Sequence, residues 1–119
     1  MNFDSNDLIT VAIAAFVGWQ LKNMFFGKVA PQKAKELVSA GARLVDVRTP
    51  GEYAARHLDR SINLPLNELG GRLNELGDKA KPIVVYCASG VRSASAKRTL
   101  KSAGFTQVFD LGSIGRWAA

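Results

Sequence analysis

A short, uninterrupted apolar segment from Ile83 to Tyr86 is the feature that most limits how this chain folds. It follows Pro82 and shows no alternation of polar and apolar side chains, which is typical of a strand covered on both faces. Such strands belong to parallel sheets, because the helices that connect parallel strands cover both faces. The segment therefore predicts a parallel α/β sheet with helices on each side, and Val84 and Val85 in its core.

Apolar stretches and helix signals alternate along the rest of the chain. Further strands are predicted at Arg43 to Val47, at Ile62 to Leu64 and at Val108 and Phe109. Helices are predicted from Pro31 to about Ala40, from Thr49 to about Arg56, over the leucine repeat from Leu66 to Leu76, and from Ser93 to Ala103. In folds of this kind, ligand sites lie at the carboxyl ends of the strands.

The only cysteine, Cys87, comes at such a strand end. A glycine-containing loop follows it, and a helical pattern begins near Ser93. An ordinary thiol has a pKa of about 8.5 and is a weak nucleophile at neutral pH. The backbone N–H groups of a strand-to-helix turn, the helix N-terminus and the charge of Arg92 all favour the thiolate. This placement predicts a nucleophilic cysteine rather than a small apolar core residue.

Four ordered blocks of the sequence resemble the rhodanese-like sulfurtransferases. The loop that begins at Cys87 is similar to the Cys-x-x-Gly-x-Arg motif of the single-domain members. The other three blocks run from Leu44 to Tyr53, from His57 to Pro65 and from Gly104 to Trp117. The blocks follow the family order and spacing, and the resemblance covers Val29 to Trp117.

The resemblance implies a rhodanese-like parallel five-stranded sheet flanked by helices, with Cys87 as the catalytic residue. Its thiolate would take the outer sulfur of a small sulfur-containing anion such as thiosulfate and form a persulfide. Cyanide, a thiol or a sulfur-acceptor protein would then remove that sulfur, with no cofactor and no metal. The substrate-binding loop would consist of Ala88, Ser89, Gly90, Val91, Arg92 and Ser93. Asp46 and Arg48 would give structural support as an ion pair between strand ends.

Three positions depart from the family pattern. Arg56 and Arg60 stand where the family usually has glycines, and Ser113 replaces the second glycine of a Gly-Gly pair. We expect the two arginines to alter only a turn. Ser113 matters more if its backbone requires a positive φ, which glycine adopts without cost.

Two alternatives to a sulfurtransferase remain open at this point. A phosphatase or an arsenate reductase of related fold also uses a loop cysteine and arginine, but with five residues between them. Here four residues, Ala88 to Val91, separate Cys87 from Arg92, and a smaller ring suits one sulfur atom better than a tetrahedral oxyanion. The other alternative is a non-enzymatic sulfur carrier or redox-sensing membrane adaptor.

Residues 1–26 form a separate segment that precedes a predicted domain at residues 27–119. Leu8 to Leu21 carries no charge, and a helix from Leu8 to Phe26 would be about 28 Å long, close to the thickness of a bilayer core of about 30 Å. We therefore expect an N-terminal hydrophobic helix that anchors the chain in a membrane through residues 8–26. A soluble core helix is the alternative. The spacing of Ala14 and Gly18 would let two such helices pack as a homodimer.

Charge predicts how this anchor is oriented. The chain has a net charge of +6. Four lysines, at positions 22, 28, 33 and 35, lie on the C-terminal side of the uncharged segment that ends at Leu21. The positive-inside rule then predicts a single-pass protein of the cell inner membrane with its domain facing the cytoplasm, its lysines near anionic headgroups. One cysteine precludes an intrachain disulfide and fits a reducing compartment. No nucleic-acid recognition motif accompanies the basic residues, so we do not expect nucleic acid as a partner.

Overall fold

The computed structural model describes residues 4–25 and 27–118. The strands in these residues are β1 (Arg43–Asp46), β2 (Ser61–Asn63), β3 (Ile83–Cys87) and β4 (Val108–Ser113). The α-helices are α1 (Ser5–Phe25), α2 (Pro31–Ser39), α3 (Pro50–Ala55), α4 (Leu66–Leu69) and α5 (Val91–Ser102). Two short 3₁₀ helices occupy Leu73–Leu76 and Ile114–Ala118.

The strands form one parallel sheet in the order β2-β1-β3-β4. β3 lies between β1 and β4, and its last residue, Cys87, is opposite Ser113. Asp46, the last residue of β1, pairs with Tyr86 of β3. The carboxyl ends of these strands therefore meet at one edge of the sheet, where the sequence predicted a site.

The sheet of the described residues has four strands, so the prediction of five is wrong. In place of a fifth strand, Lys28 makes a single parallel bridge with Asp110 of β4, and the N–H of Val29 donates to the Asp110 carbonyl at 2.8 Å. Pro31 begins α2 immediately afterwards. Because proline lacks an N–H and suits the first turn of a helix, the extended segment ends before it becomes a strand.

Every residue of β3 is buried, which confirms the prediction that both of its faces are covered. Val85 and Cys87 belong to one core cluster together with Leu100 of α5. Val84 and Tyr86 belong to a second cluster on the opposite face, against which α2 packs. Val84 and Val85 are fully buried, as expected for core residues.

The spacing of the leucines from Leu66 to Leu76 predicted one continuous helix. The structure instead has two short helices there. α4 ends at Leu69, and a 3₁₀ helix begins at Leu73. Gly70 and Gly71 lie between them, and glycine in a helix interior costs about 1 kcal/mol relative to alanine. Leu69 and Leu76 are nevertheless fully buried, so the apolar pattern identified core residues while the glycines broke the helix.

A positive φ was expected to matter at Ser113, but the structure has it at Arg60 instead. Arg60 has a φ of +69° and is the non-glycine residue with positive φ among those described. Ser113 continues β4, and the positive φ of that segment, +88°, falls on Gly112. The glycine-like conformation is therefore required at Arg60 rather than at Ser113.

The described side chains of α1, from Ser5 to Trp19, are exposed and add nothing to either core cluster. These described side chains therefore give no support to the alternative of a soluble core helix. Among the residues that the structure describes, no helix has the length and apolar character needed to cross a membrane. Phe26, the predicted end of the anchor, lies outside the described residues.

The membrane anchor predicted at residues 8–26, and the homodimer that depended on it, are therefore not supported. The polar residues Gln20, Lys22 and Asn23 interrupt the apolar run. A membrane span needs about 17–25 predominantly apolar residues, and the run before Gln20 is shorter than that.

Candidate active site

The Cys87 thiol lies at the carboxyl end of β3 and is fully buried. The turn that follows requires a left-handed residue, and Gly90 supplies it with a φ of +98°. The Gly90 N–H donates to Cys87 Sγ at 2.9 Å, and the Ser93 N–H lies 3.4 Å from the same atom. The Ser93 hydroxyl oxygen lies 3.5 Å from the same sulfur. The sulfur therefore sits inside a ring of backbone donors.

Two opposing effects determine the pKa of Cys87. Burial raises the pKa, because the charged thiolate is poorly solvated in the protein interior. Hydrogen bonds from the Ser93 side chain and from the backbone of Ser93, Gly90 and Ser89 lower it, and together they outweigh burial. The net result is a pKa below the ordinary value. α5 begins at Val91, so the positive end of its dipole also favours an anion at the sulfur.

The predicted loop residues surround the sulfur at different depths. Gly90 and Ser93 are buried, whereas Ala88 and Ser89 are exposed. Val91 is 73% exposed, so it presents an apolar side chain to solvent at the rim of the loop. The loop therefore contacts the sulfur through its backbone and the Ser93 hydroxyl, while its other side chains face outward.

Arg92, the expected anion contact, already has a carboxylate partner. Its two terminal nitrogens donate to the two carboxylate oxygens of Glu52 at 2.7 and 3.0 Å. Glu52 also accepts from the N–H and the hydroxyl of Thr49 as part of the capping box of α3. The Arg92 guanidinium and the Thr49 backbone lower the pKa of Glu52 from its usual 4.5 to about 2. The sequence had not identified Glu52 as a partner of the loop.

Asp46 and Arg48 form a buried ion pair beside the loop. Arg48 Nη2 donates to Asp46 Oδ2 at 2.8 Å, and its Nε lies 3.1 Å from both carboxylate oxygens. The hydrogen bond to Asp46 raises the pKa of Arg48 further above its ordinary value. Arg48 also donates to the Arg56 carbonyl, so the pair connects the end of β1 to the end of α3.

A cavity of about 220 Å³ opens between this ion pair and the loop. It is lined by Val47, Arg48, Thr49, Pro65, Leu66, Asn67 and Arg92. Both arginines that line it are paired with carboxylates, Asp46 and Glu52. The cavity therefore carries less free positive charge than its two arginines alone would indicate.

The environment of Lys28 differs from the one that the sequence predicted. It was grouped with lysines expected near lipid headgroups, but its side chain is only 10% exposed and pairs with Asp110.

In the part of the chain that is described, no three His, Cys, Asp or Glu side chains lie close enough together to hold a metal ion. The chemistry available at this site is that of an activated thiol among hydrogen-bond donors.

Comparisons with known proteins agree with this geometry. A model of the Rhodanese-like domain family matches residues 30–119. The chain is 32% identical over 118 residues to YqhL of Bacillus subtilis, covering 95% of this chain and 93% of YqhL. It is 36% identical to the thiosulfate sulfurtransferase GlpE of Ectopseudomonas mendocina, covering 79% of this chain and 86% of that protein. The human single-domain sulfurtransferase TSTD1 superposes with a TM-score of 0.69 over 77% of this chain and 95% of that chain, at 24% identity, which shows a shared fold.

Proposed function

Because this chain belongs to the rhodanese-like domain family, we propose that it is a thiosulfate sulfurtransferase-like enzyme in which Cys87 carries sulfur as a persulfide. The observation that carries the proposal is the environment of Cys87 Sγ. It has N–H donors at 2.9 and 3.4 Å and lies at the N-terminus of α5. These groups favour an anionic sulfur, which both the resting thiolate and the persulfide provide.

The proposed reaction has two steps that use the same sulfur atom of Cys87. In the first, the thiolate attacks the outer sulfur of the donor. With thiosulfate, a new S–S bond forms, the S–S bond of the donor breaks, and sulfite leaves with the bonding electrons. In the second, an acceptor thiolate or cyanide attacks the terminal persulfide sulfur and releases the Cys87 thiolate. Attack by the thiolate itself needs no general base, and the lowered pKa of Cys87 increases the fraction of the thiol that is ionised.

Thiosulfate is the donor in the names of several relatives, and we propose it here as an assay substrate. The Arg92 charge is shared with Glu52, and Ala88, Ser89 and Val91 are uncharged. We therefore expect weak binding of the thiosulfate dianion, with a KM above the usual range of about 1 μM to 1 mM. Steady-state kinetics at saturating cyanide measures this directly.

The decisive experiment compares the wild type with Cys87→Ser. The hydroxyl is nearly isosteric with the thiol but cannot form a stable persulfide. After exposure to thiosulfate, mass spectrometry should detect the addition of about one sulfur mass on the wild type only, and thiocyanate formation should be lost in the variant. Unfolding curves of both proteins control for the fold. A wild-type thiol that stays unmodified, or a variant that still turns over, contradicts the assignment.

The alternatives are not favoured by the comparisons. The four-residue spacing between Cys87 and Arg92 distinguishes this loop from the five-residue spacing of the related phosphatases. A phosphate-ester assay run beside the sulfur-transfer assay tests this, since hydrolysis faster than sulfur transfer would favour the phosphatase. We propose a reducing compartment for the protein, because a single reactive thiol must stay unoxidised. Its placement in the cytoplasm stays a prediction.

A further inference from the structure

One partly buried lysine outside the family motifs contacts the loop that holds the Cys87 sulfur. Lys28 precedes α2, and its Nζ donates to Asp110 Oδ2 at 2.6 Å and to the Gly90 carbonyl at 3.0 Å. Asp110 is 2% exposed, and its other carboxylate oxygen accepts from the Gly112 N–H at 2.8 Å. The Lys28 ammonium therefore joins three segments: the start of the domain, β4 and the active-site loop.

Gly90 connects Lys28 to the Cys87 sulfur, because it forms a hydrogen bond with each of them. Its N–H donates to Cys87 Sγ at 2.9 Å. Its carbonyl accepts from Lys28 and also from Ser93 Oγ, at 3.2 Å. The carbonyl is therefore fixed by two donors while the N–H of the same residue points at the sulfur. The N–H and the carbonyl of Gly90 belong to adjacent peptide planes that meet at the Gly90 Cα, so a displacement of that Cα would move both groups.

Close packing supports the same view of this contact. A Cβ atom added to Gly90 would lie 3.5 Å from the Lys28 side chain and 3.6 Å from Gly112. The positive φ of Gly90 and of Gly112 lets the two backbones and the lysine stem approach one another. Lys97 of α5 lies close enough to Lys28 and Asp110 to feel their charges. Its pKa is lowered, mainly by burial and also by repulsion from Lys101 and Lys28. Loss of Lys28 would leave Asp110 buried without its ion-pair partner.

We propose that Lys28 is a positioning residue for sulfur transfer, which holds the Gly90 carbonyl so that the loop N–H groups stay directed at Cys87. Lys28 acts through Gly90 and does not touch the sulfur. The predicted effect of Lys28 on turnover rests on the proposed function. The predicted effect of Lys28 on thiol reactivity is measured without any sulfur donor, so either proposal can fail while the other stands.

The test uses Lys28→Met in the full chain, with Lys79→Met as the matched control. Methionine keeps an unbranched stem but loses the ammonium. Lys79 also donates to a backbone carbonyl, that of Ala103 at 2.7 Å, but near the C-terminal end of α5, opposite the loop. The readouts are the rate of Cys87 alkylation by iodoacetamide between pH 5 and 10, and kcat and KM for thiosulfate. Because the chain has one cysteine, alkylation of the thiol, followed as modified Cys87 by mass spectrometry, reports on that residue alone.

Lys28→Met should slow alkylation at pH 7 by about three- to tenfold and shift its pH midpoint upward, since the thiolate loses part of a hydrogen bond. Its kcat should fall by about tenfold or more, because a displaced group near the reacting atoms is costly. Lys79→Met should match the wild type in both readouts. A folded Lys28→Met with wild-type alkylation, or equal shifts in both variants, overturns the proposal.

Lys28→Met leaves a buried carboxylate unpaired, which can destabilise a protein severely. A second variant, Lys28→Met with Asp110→Asn, removes both charges, and the asparagine side chain keeps an oxygen that accepts from the Gly112 N–H. It should show the same upward shift of the alkylation midpoint. A wild-type midpoint in this folded double variant also overturns the proposal.

Discussion

At the scale of single residues, the reactivity of Cys87 depends on a competition between burial and hydrogen bonding. Full burial of the sulfur disfavours its charge, and the donors of Gly90 and Ser93 reverse that effect. The placement of Cys87, the candidate nucleophile, could be predicted from local sequence, because a strand end, a glycine and a helix start are adjacent in the chain. The partners Glu52 and Lys28 could not, because they lie 40 and 62 residues from the loop residues they contact.

Ser93→Ala should make the Cys87 thiol less reactive. The Ser93 side chain is the largest of the contributions that lower the pKa of Cys87, so its removal should raise that pKa. Alkylation by iodoacetamide at pH 7 should slow by about two- to tenfold, whereas the rate well above the thiol pKa should be unchanged. Ser102→Ala, an exposed serine of the same helix, is the control. Identical pH profiles for Ser93→Ala and the wild type would mean that the backbone donors alone set the pKa.

At the scale of secondary-structure elements, the pair between Glu52 and Arg92 joins α3 to α5. The pKa of Glu52 is lowered to about 2, so its carboxylate binds Arg92 more strongly when ionised. A group with a lowered pKa stabilises the fold above its unfolded pKa of about 4.3 and loses that contribution as the pH falls through its folded pKa.

The unfolding free energies of the wild type and of Glu52→Gln should therefore differ by a constant amount between pH 5 and 8, with the wild type more stable. The difference should shrink as the pH falls from about 4.3 towards 2. Urea unfolding of both proteins across this pH range measures it. A difference that is constant down to pH 2 would indicate that the ionised pair is not its source.

Leu100 connects α5 to the sheet, and Leu100→Ala should lower the free energy of unfolding by about 2–5 kcal/mol. The side chain is fully buried in the cluster that contains Val85 and Cys87. Arg98→Ala, at an exposed position of the same helix, should change the stability by less than about 0.5 kcal/mol. Urea denaturation measures both variants. Similar losses in the two would contradict the core assignment of α5.

The elements themselves could be predicted where one local signal decided them. Proline and glycine marked the ends of α2, and the apolar run identified β3. The prediction was wrong where two signals competed. Gly70 and Gly71 broke the helical pattern of the leucines, and Pro31 began α2 directly after the short bridge between Lys28 and Asp110.

At the scale of the whole molecule, the described side chains of α1 belong to neither core cluster: the earliest member of one is Val45, and the other, against which Val29 packs, begins with Ala34. A chain that starts at Gly27 should therefore fold and keep the alkylation profile and sulfur transfer of the full chain. A chain that starts at Ala30 loses Lys28 and the hydrogen bond from Val29 to Asp110. Its Cys87 should react about three- to tenfold more slowly at pH 7.

Circular dichroism and urea unfolding establish whether each truncated chain folds, and the alkylation and thiocyanate assays follow. Failure of the Gly27 chain to fold would make α1 part of the domain. Equal reactivity in two folded truncations would remove the role given to Lys28. The comparison separates the contribution of α1 from that of residues 27–29, which an apolar run in the sequence could not do.

The contact between Lys28 and Asp110 also affects when the thiol becomes reactive during synthesis. The two residues are 82 positions apart, and Cys87 lies between them. At a synthesis rate of about 5–20 residues per second, Cys87 is made roughly one to five seconds before Asp110. A nascent chain at that stage has neither β4 nor the lysine clamped against the loop, so its cysteine has the modest reactivity of an ordinary thiol. The complete hydrogen-bond environment of Cys87 is thus assembled late in folding, only after β4 has been synthesised.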